Sequence, residues 1–437
     1  MSKITETPQN SMNSSVFKRR FFLFLTPGIG LKRWIFLSLL GAIWVSLGFA
    51  LAFTSITEIS MDFTSGVVNF GRKITLSGVV PLVWRGAFFA LIGIFVFLLG
   101  AWQTYRALLS GATYANSGEG LIENLATRRI RRRGPRIVAI GGGVGQSTLL
   151  RGLKQYSENL TAIVTVADDG GSSGRLRDEL GISPPGDARQ CLIALADSEP
   201  VLEELFSFRF DTAGDLHGHS MGNLLLTALA HDGDLHDALQ SAARILALKG
   251  KVVPSTRLPN IVLKANTSKG AVLTGESAIG KSGEKINQLW IEPEGATSNP
   301  AALSAIEESE IIIIGPGSLY TSVIPNFLIP EISKAVNSSK AKKIFVCNIA
   351  TQIGETEGFS AQDHLETFQK FTSVTVTHFL TNNNPLPIDP SFKQDAVVPL
   401  NLENFNGKQI SADLSDPIHL SHHDADKLAK AILREYQ

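Results

Sequence analysis

Hydrophobic residues are distributed in two different ways along this chain, and the change falls near residue 134. Before it lie two long apolar segments without a charged residue, at positions 34–53 and 86–102. After it, short apolar runs alternate with amphipathic stretches of helical length. Long uncharged segments and short alternating runs predict different folds. The front of the chain is therefore expected to be a separate part of the molecule.

The two long apolar segments have the length of membrane-spanning helices. A helix needs about 20 apolar residues to cross the hydrocarbon layer of a bilayer. Basic residues precede the first segment and follow the second: Lys18, Arg19, Arg20, Lys32, Arg33, Arg128, Arg129, Arg131, Arg132 and Arg133. The positive-inside rule therefore predicts a transmembrane hairpin with both ends in the cytoplasm. Two buried helices of a soluble domain are the alternative interpretation.

The short apolar runs after residue 134 predict a mostly parallel β-sheet. Four of them, apart from Thr165, are continuously apolar, as strands buried on both faces are: 137–140, 162–166, 311–314 and 344–347. Amphipathic stretches at 234–248 and 300–308 predict helices between strands, and a last helix is expected at 423–435. This alternation is typical of a doubly wound α/β domain. Residues 251–292 predict a small antiparallel excursion.

The charge distribution follows the same division of the chain. We expect a basic N-terminal tail (1–33), a transmembrane hairpin (34–105), a juxtamembrane polybasic linker (106–134) and the α/β domain (135–437). The 40 basic and 40 acidic residues cancel overall, yet residues 1–133 carry 15 and 5 of them and the remainder 25 and 35. An acidic domain disfavours nucleic-acid binding. Two cysteines without metal-ligand spacing exclude a disulfide framework.

A glycine-rich turn follows the first predicted strand. Four glycines and a serine form it: Gly141, Gly142, Gly143, Gly145 and Ser147. Such glycines let backbone N–H groups approach a phosphate at a helix N-terminus. No lysine precedes the hydroxyl residue, so this is not a Walker loop, and Gln146 replaces the third glycine of the dinucleotide fingerprint. A purely structural turn is the alternative.

Two acidic residues, Asp168 and Asp169, follow the second predicted strand. Asp168 lies 27 residues after Gly141. An acidic residue about 20 residues after a glycine turn often binds a ribose hydroxyl. Paired carboxylates could instead hold Mg²⁺ beside a diphosphate. The glycine- and serine-rich stretch that follows contains Ser172 and Ser173, with Arg175 close behind. It predicts a second anion-binding loop.

Further segments combine glycines with polar residues where strands end or helices begin. They contribute Asp187, Arg189, His219, Ser220, Asn223, Gly315, Gly317, Ser318, Tyr320, Asn348 and Gln352. Ligands of open α/β sheets bind beyond the carboxyl ends of the strands, so we expect these residues around one crevice. His217 and His219 are more simply a structural pair than metal ligands, because no third ligand lies in register.

Six of these segments, in order, resemble the YvcK-type gluconeogenesis factor family: GGGVGQSTLLRGLK, VTVADDGGSSGRLRDELG, PPGDARQCLIALAD, GHSMGNLLL, IGPGSLYTSVIPN and CNIATQIGET. The family is related to the 2-phospho-lactate transferases of deazaflavin-cofactor synthesis. The resemblance covers residues 135–430. It implies a Rossmann-like cytoplasmic domain that binds a UDP-sugar such as UDP-N-acetylglucosamine. It also implies a role in cell shape and in the allocation of wall precursors on gluconeogenic carbon sources.

Carried onto this chain, the resemblance implies that the polar and glycine residues named above bind the nucleotide-sugar. Ile353 stands where the family usually has proline, and Gln190 where it usually has asparagine. The apolar hairpin is the larger departure, because the usual members look cytosolic and soluble.

The motifs and the resemblance lead to two hypotheses about function, one a binding protein and the other an enzyme. The favoured hypothesis is a non-catalytic nucleotide-sugar sensor without a required cofactor, held at the cell membrane with its globular domain in the cytoplasm. It would report to a wall-synthesis or regulatory protein, and a homodimer is an open expectation. The alternative is a Mg²⁺-dependent transferase, in which Asp168 or Asp169 holds the metal. A nicotinamide oxidoreductase is disfavoured by the missing third glycine.

Overall fold

The computed structural model describes residues 31–57, 82–112, 130–197, 199–211, 214–230, 234–388, 394–398 and 405–436. The basic N-terminal tail up to residue 30, the hairpin loop at 58–81 and most of the polybasic linker (113–129) lie outside these described residues. The chain divides into two compact units, Met1–Ile130 and Arg131–Gln437, which are treated separately.

Two long helices form the described part of the first unit. Helix α1 spans Leu31–Thr57 and helix α2 spans Leu82–Ala112. Glycines seven residues apart line the contact between them: Gly41 and Gly48 on α1, and Gly86, Gly93 and Gly100 on α2. A Cβ atom on Gly48 would lie 2.5 Å from the Ala90 nitrogen and 2.7 Å from the Gly86 oxygen. The helices therefore approach more closely than larger residues would permit.

The outer faces of these two helices are apolar and exposed. Large side chains on them include Phe36, Phe49, Phe88, Leu91 and Phe95, each at least 60% exposed. By length and composition, Arg33–Ala52 and Val83–Arg106 are long and apolar enough to cross a membrane. Little of either segment is buried within the protein, unlike the core helices of a soluble domain.

The second unit is built on a seven-stranded parallel sheet and a three-stranded antiparallel sheet. Its strands are β1 (Ile137–Gly141), β2 (Leu160–Val164), β3 (Lys251–Pro254), β4 (Val262–Thr267), β5 (Val272–Thr274), β6 (Ile286–Glu292), β7 (Ile311–Ile314), β8 (Lys342–Val346), β9 (His378–Asn382) and β10 (Lys408–Ala412). The large sheet has the order β10-β9-β8-β7-β1-β2-β3, with every neighbouring pair parallel. The small sheet has the order β5-β4-β6.

Helices separate most of these strands along the chain. They are α3 (Gly143–Leu153), α4 (Gly171–Leu180), α5 (Gly186–Leu195), α6 (Glu199–Ser207), α7 (Met221–Leu229), α8 (Leu235–Ile245), α9 (Glu276–Ile279), α10 (Pro300–Glu308), α11 (Ile324–Phe327), α12 (Pro330–Ser338), α13 (Ala361–Thr372) and α14 (Ala425–Arg434), with a π-helical turn at Leu319–Val323. All four isoleucines of β7 are fully buried, as expected for a central strand covered on both faces.

The predicted α/β fold is confirmed, and one part of the predicted excursion is wrong. The stretch at 251–254 was expected to belong to the antiparallel excursion, but β3 pairs in parallel with β2 at the edge of the large sheet. Burial explains the difference, because Val252, Val253 and Pro254 are all buried. By contrast, β4 alternates buried and half-buried positions, the pattern of an antiparallel strand covered on one face.

Candidate functional site

Two glycine turns meet beyond the carboxyl ends of β1, β7 and β8 and enclose a cleft of about 350 Å³. We call it the glycine cleft. Its walls include Gly142, Gly143, Gly145, Asp187, Gln190, Glu276, Gly317, Ser318, Asn348, Gln352, His422 and His423. This is the edge of the sheet where ligands bind in open α/β folds.

The glycines of the first turn are required by close contacts and by backbone geometry. A Cβ atom on Gly142 would collide with the Asp187 carboxylate, and one on Gly145 would lie 2.6 Å from the Pro316 oxygen. Gly143, the first residue of α3, has a φ of +67°, a left-handed conformation that favours glycine. The turn therefore holds its backbone against both Asp187 and the second turn.

Side-chain amides fix the two turns. Asn348 donates from Nδ2 to the Gly317 oxygen at 2.9 Å and accepts from the Gly317 N–H at 3.1 Å. The buried Gln146 donates to the Ala139 oxygen at 2.8 Å and to the Ile163 oxygen at 3.1 Å. Gln146 thus ties β1 to β2 behind the turn, which gives a structural reason for glutamine at this position.

A second cavity adjoins the glycine cleft, and the two share Asp187 and Gln190. We call it the serine cavity. It has a volume of about 270 Å³ and is lined by Asp168, Gly170, Gly171, Ser172, Ser173, Gly186, Asp187, Arg189, Gln190, Arg209 and Asn223. The start of α4 forms one wall and the start of α5 another.

A hydrogen-bond network shapes the serine cavity. Asn223 donates from Nδ2 to the hydroxyl oxygens of Ser172 at 3.1 Å and Ser173 at 3.4 Å. The Ser172 hydroxyl also meets the Nδ1 atom of His219 at 3.0 Å. Burial lowers the pKa of His219, which favours a neutral ring. Ser220 caps α7 by accepting the Asn223 N–H at 3.2 Å. His219 and Ser220 therefore position residues of the cavity without lining it.

Three carboxyl groups lie close together around these cavities, and burial raises the pKa of each. Burial and the charge of Asp168 raise the pKa of Asp187 to about 7. Burial raises the pKa of Asp168. Burial, followed by the charges of Asp168 and Asp187, raises the pKa of Glu276 to about 9. The Glu276 carboxyl is therefore neutral near pH 7 and can donate a hydrogen bond.

Several predicted site residues line neither cavity: Gly141, Ser147, Asp169, Arg175, His219, Ser220, Gly315 and Tyr320. The Asp169 carboxylate accepts the Ser277 N–H at 2.8 Å and so ties its loop to α9. Arg175 donates to the His217 oxygen at 2.5 Å. Tyr320 lines another cavity, of about 590 Å³, beside α13. The Ser147 hydroxyl donates to the Val144 oxygen within α3 at 2.9 Å.

Asp168 and Asp187 are the two acidic residues that line the serine cavity. Among the described residues, no group of three or more His, Cys, Asp or Glu side chains is placed to hold a metal ion. Proteins nevertheless bind Mg²⁺ through one or two carboxylates together with a substrate phosphate. Asp168 and Asp187 share the serine cavity, whereas Asp169 bonds elsewhere.

Three residues near the cleft were not among the predicted binding residues. Glu276 belongs to the antiparallel excursion and reaches the cleft only through the fold. Glu355 accepts from the Thr321 hydroxyl at 2.8 Å and from the Gln352 amide at 3.1 Å, and so braces the wall that carries Gln352. His423 bonds through Nε2 to the Cys347 oxygen at 3.1 Å, and burial lowers its pKa to about 4.

Known proteins resemble this chain in sequence. The family described as 2-phospho-L-lactate transferase CofD matches residues 137–433, about two thirds of the chain. The gluconeogenesis factor of Listeria monocytogenes is 43% identical over 306 residues, which are 68% of this chain and 95% of that protein. A Nostoc sp. protein that carries the same family name is 44% identical over 360 residues, 82% of this chain and 77% of the other.

A solved structure has the same fold. The crystal structure of a UPF0052 family member from Bacillus halodurans is 41% identical to this chain and superimposes with a TM-score of 0.64. The match covers 69% of this chain and 99% of that one. The chain therefore belongs to the gluconeogenesis factor family and carries a domain of the CofD type.

Proposed function

We propose that the glycine cleft binds a UDP-sugar such as UDP-N-acetylglucosamine, and that the protein is a regulator of wall-precursor allocation and cell shape. In this proposal the protein, with the UDP-sugar bound, signals to a wall-synthesis or regulatory partner, as a monomer or a homodimer. The observation that carries the proposal is the convergence of two glycine turns at the sheet edge, where Asn348 holds the second turn.

The chemistry of the glycine cleft suits a nucleotide-sugar. The turn before α3 presents backbone N–H groups and the positive end of the helix dipole, which favour a diphosphate. Neutral hydrogen-bonding side chains such as Ser318 and Gln352 suit a sugar or a uracil ring. A protonated Glu276 adds a donor and avoids repelling the diphosphate.

The burial of both cysteine thiols favours a sensor over an enzyme that uses a thiol nucleophile. Cys191 and Cys347 are buried, and burial raises the pKa of both thiols, so neither is a candidate nucleophile. The remaining groups of the cleft bind and orient a ligand without a recognisable nucleophile and base among the described residues.

A Mg²⁺-dependent transferase is the second candidate, and the paired carboxyls of Asp168 and Asp187 favour it. The CofD family match points to the same chemical class. When bound, Mg²⁺ would supply charge stabilisation to a diphosphate. The carboxyls of Asp168 and Asp187 would hold it at the boundary between the two cavities.

Binding and turnover can be tested together on the full chain in detergent. It is incubated with UDP-N-acetylglucosamine, with and without Mg²⁺ and simple sugar acceptors, and affinity and ligand composition are both measured. The sensor proposal expects saturable binding and recovery of intact ligand. Release of UDP or UMP that is lost in Asp168→Asn and Asp187→Asn variants would overturn it in favour of the transferase.

Membrane anchoring through the first unit is also part of the proposal. Glycine-lined contacts between apolar helices are a common way for helices to pack within a bilayer, and the outer faces of α1 and α2 would be unfavourable in water. The Nostoc match spans 82% of the chain, whereas Arg131–Gln437 makes up about 70% of it, so the similarity extends into the first unit.

Reporter fusions test the membrane orientation. A fusion near Asp62 should report a location outside the cytoplasm, and a fusion at the C-terminus should report a cytoplasmic location. A C-terminal fusion that is active outside the cytoplasm would contradict the proposed orientation and, with it, access of the cleft to cytoplasmic nucleotide-sugars.

A further inference from the structure

One end of the α1–α2 pair carries two arginines, each stacked on a tryptophan. The guanidinium carbon of Arg33 lies 4.9 Å from the centre of the Trp34 ring, and that of Arg106 lies 4.8 Å from the centre of the Trp102 ring. Both arginines are exposed. Stacking on an aromatic face restricts the planar guanidinium group and leaves the N–H groups at its edge available for other partners. The pair of helices therefore presents two oriented cations at its surface.

The antiparallel packing of α1 against α2 brings these two arginines to the same level. A Cβ atom on Gly100 would lie 2.5 Å from the Ser38 hydroxyl oxygen, so these two residues face each other. Five residues further toward this end of each helix, Arg33 is level with Tyr105, the neighbour of Arg106. We call this level the arginine end, and it consists of Arg33, Trp34, Trp102, Tyr105 and Arg106.

An exposed apolar stripe leads along α2 to the arginine end. Its side chains recur at intervals of three or four residues and so share one face of the helix: Phe88, Leu91, Phe95, Leu98 and Trp102, followed by Arg106. Neither α1 nor α2 contains an aspartate or a glutamate, so no carboxylate within the pair neutralises the two arginines. The surface therefore matches a molecule that joins an anionic group to long apolar chains.

We propose that the arginine end binds the phosphate group of an anionic phospholipid, whose acyl chains lie along the stripe on α2. This lipid site rests on the membrane anchoring proposed above and adds a preference for one class of lipid. Guanidinium groups form two parallel hydrogen bonds with phosphate oxygens, and their planar shape fixes the direction of both. The phosphate of a zwitterionic lipid is accompanied by its own ammonium group, which the two arginines repel. In the proposed orientation this end faces the cytoplasmic leaflet, to which anionic lipids give a negative surface potential.

Native mass spectrometry of the full chain in detergent tests the lipid site. The protein is titrated with phosphatidylglycerol and, separately, with phosphatidylcholine of the same acyl chains, and bound lipid is counted at each concentration. Glycerol 1-phosphate supplies the phosphate without acyl chains. We expect saturable binding of phosphatidylglycerol with an affinity about fivefold or more above that of phosphatidylcholine, since one basic side chain near an anionic lipid contributes about this factor. Glycerol 1-phosphate should bind weakly at the same concentrations.

A charge-conserving variant separates a site built by oriented arginines from simple attraction of charge. The double variant Arg33→Lys, Arg106→Lys keeps both positive charges, and hence the predicted membrane orientation, but loses the planar groups. Its preference for phosphatidylglycerol over phosphatidylcholine should fall by about fivefold, the effect of losing one hydrogen bond. Trp102→Leu keeps the stripe apolar but removes the stacking ring, and should lower the preference too. Arg85→Lys, at a half-buried position near the opposite end of α2, is the matched control and should leave the preference unchanged.

Failure of the lipid site can be told apart from failure of the membrane anchoring. Equal affinity for the two lipids, or glycerol 1-phosphate binding as tight as that of phosphatidylglycerol, would contradict a site for anionic phospholipid. An unchanged preference in the Arg33→Lys, Arg106→Lys variant would show that charge alone attracts the lipid, and would overturn the proposal. Sedimentation of the chain with membranes is measured in parallel. A chain that stays in the supernatant would overturn anchoring and lipid site together, whereas a membrane-bound chain without lipid preference would contradict the lipid site alone.

Discussion

The side chain of Asn348 and the backbone of Gly317 form a two-way amide pair in the wall of the glycine cleft. Nδ2 of Asn348 donates to the Gly317 oxygen at 2.9 Å, and Oδ1 accepts the Gly317 N–H at 3.1 Å. Gly317 follows β7, and Asn348 follows β8, so this pair joins two neighbouring strand ends. It fixes the turn that packs against Gly142 and Gly145.

Replacement of this amide should weaken ligand binding. In Asn348→Asp the donor is lost, and a carboxylate oxygen is left facing the Gly317 oxygen. Loss of one hydrogen bond together with this repulsion predicts a decrease in UDP-N-acetylglucosamine affinity of about tenfold or more. Calorimetry on the full chain in detergent measures it.

Asn337→Asp is the matched control. Asn337 makes the same kind of two-way tie, to the Ser373 oxygen at 3.1 Å and the Thr375 N–H at 3.0 Å, at a surface site outside the cleft. Its substitution should leave affinity unchanged. Equal losses in both variants would indicate general destabilisation instead of a local effect on the cleft.

The contact between Gly142 and Asp187 gives a second prediction. A methyl group in Gly142→Ala would overlap the Asp187 carboxylate, so stability should fall by roughly 1–3 kcal/mol, the usual cost of overpacking. If that overlap is the cause, the loss should be smaller when Gly142→Ala is introduced into Asp187→Ala. Thermal unfolding of the four proteins measures this coupling. Additive losses would show that the turn, and not Asp187, resists the methyl group.

The large sheet could be predicted in part because its central strands are continuously apolar. Four isoleucines make up β7, and no amphipathic interpretation competes with that pattern. Strand β10 could not be predicted in the same way, because it lies at the edge and its sequence, KQISA, is mostly half-buried or exposed. Strand β3, at the opposite edge, keeps buried valines, so it is the poor burial of β10 that removes the sequence signal.

The candidate site could be predicted where backbone conformation demands a residue type. Gly142 and Gly145 stand out in the sequence and line the cleft. Glu276 does not stand out, because only the tertiary fold brings the antiparallel excursion beside Asp187. Two acidic residues that are adjacent in the sequence also have different surroundings. Asp168 lines the serine cavity, whereas Asp169 bonds to α9. The direction of a side chain in a loop depends on such hydrogen-bond partners, and it cannot be predicted from the spacing of residues along the sequence.

Glu355 should make stability depend on pH. Burial raises its pKa from the usual 4.5 to about 7. The folded protein therefore keeps this proton where the unfolded chain has lost it. The resulting stabilisation is complete below about pH 4.5 and is lost as pH rises through about 7, a change of up to about 3 kcal/mol.

The variant Glu355→Gln isolates this contribution. Its amide does not titrate, so the melting temperature of the wild type should fall relative to that of the variant between pH 5 and pH 8. Thermal unfolding of the full chain in detergent gives both curves. Glu366→Gln, at an exposed position of α13, is the control and should follow the wild type. Parallel wild-type and Glu355→Gln curves would refute the assignment.

The glycine contacts between α1 and α2 give the last prediction. Gly48→Leu would place a side chain where the Ala90 nitrogen and the Gly86 oxygen already lie within 2.7 Å of a Cβ position, so the helices must separate. The rings of Trp44 and Phe89 have centroids 5.7 Å apart in the same contact, which makes a Trp44→Cys, Phe89→Cys pair a proximity probe. We expect this pair to cross-link efficiently under mild oxidation in membranes, and to lose most of that cross-linking when Gly48→Leu is added. Ala101→Leu, on the exposed side of α2, should preserve it. Cross-linking that survives Gly48→Leu would show that close glycine packing does not hold the two helices together.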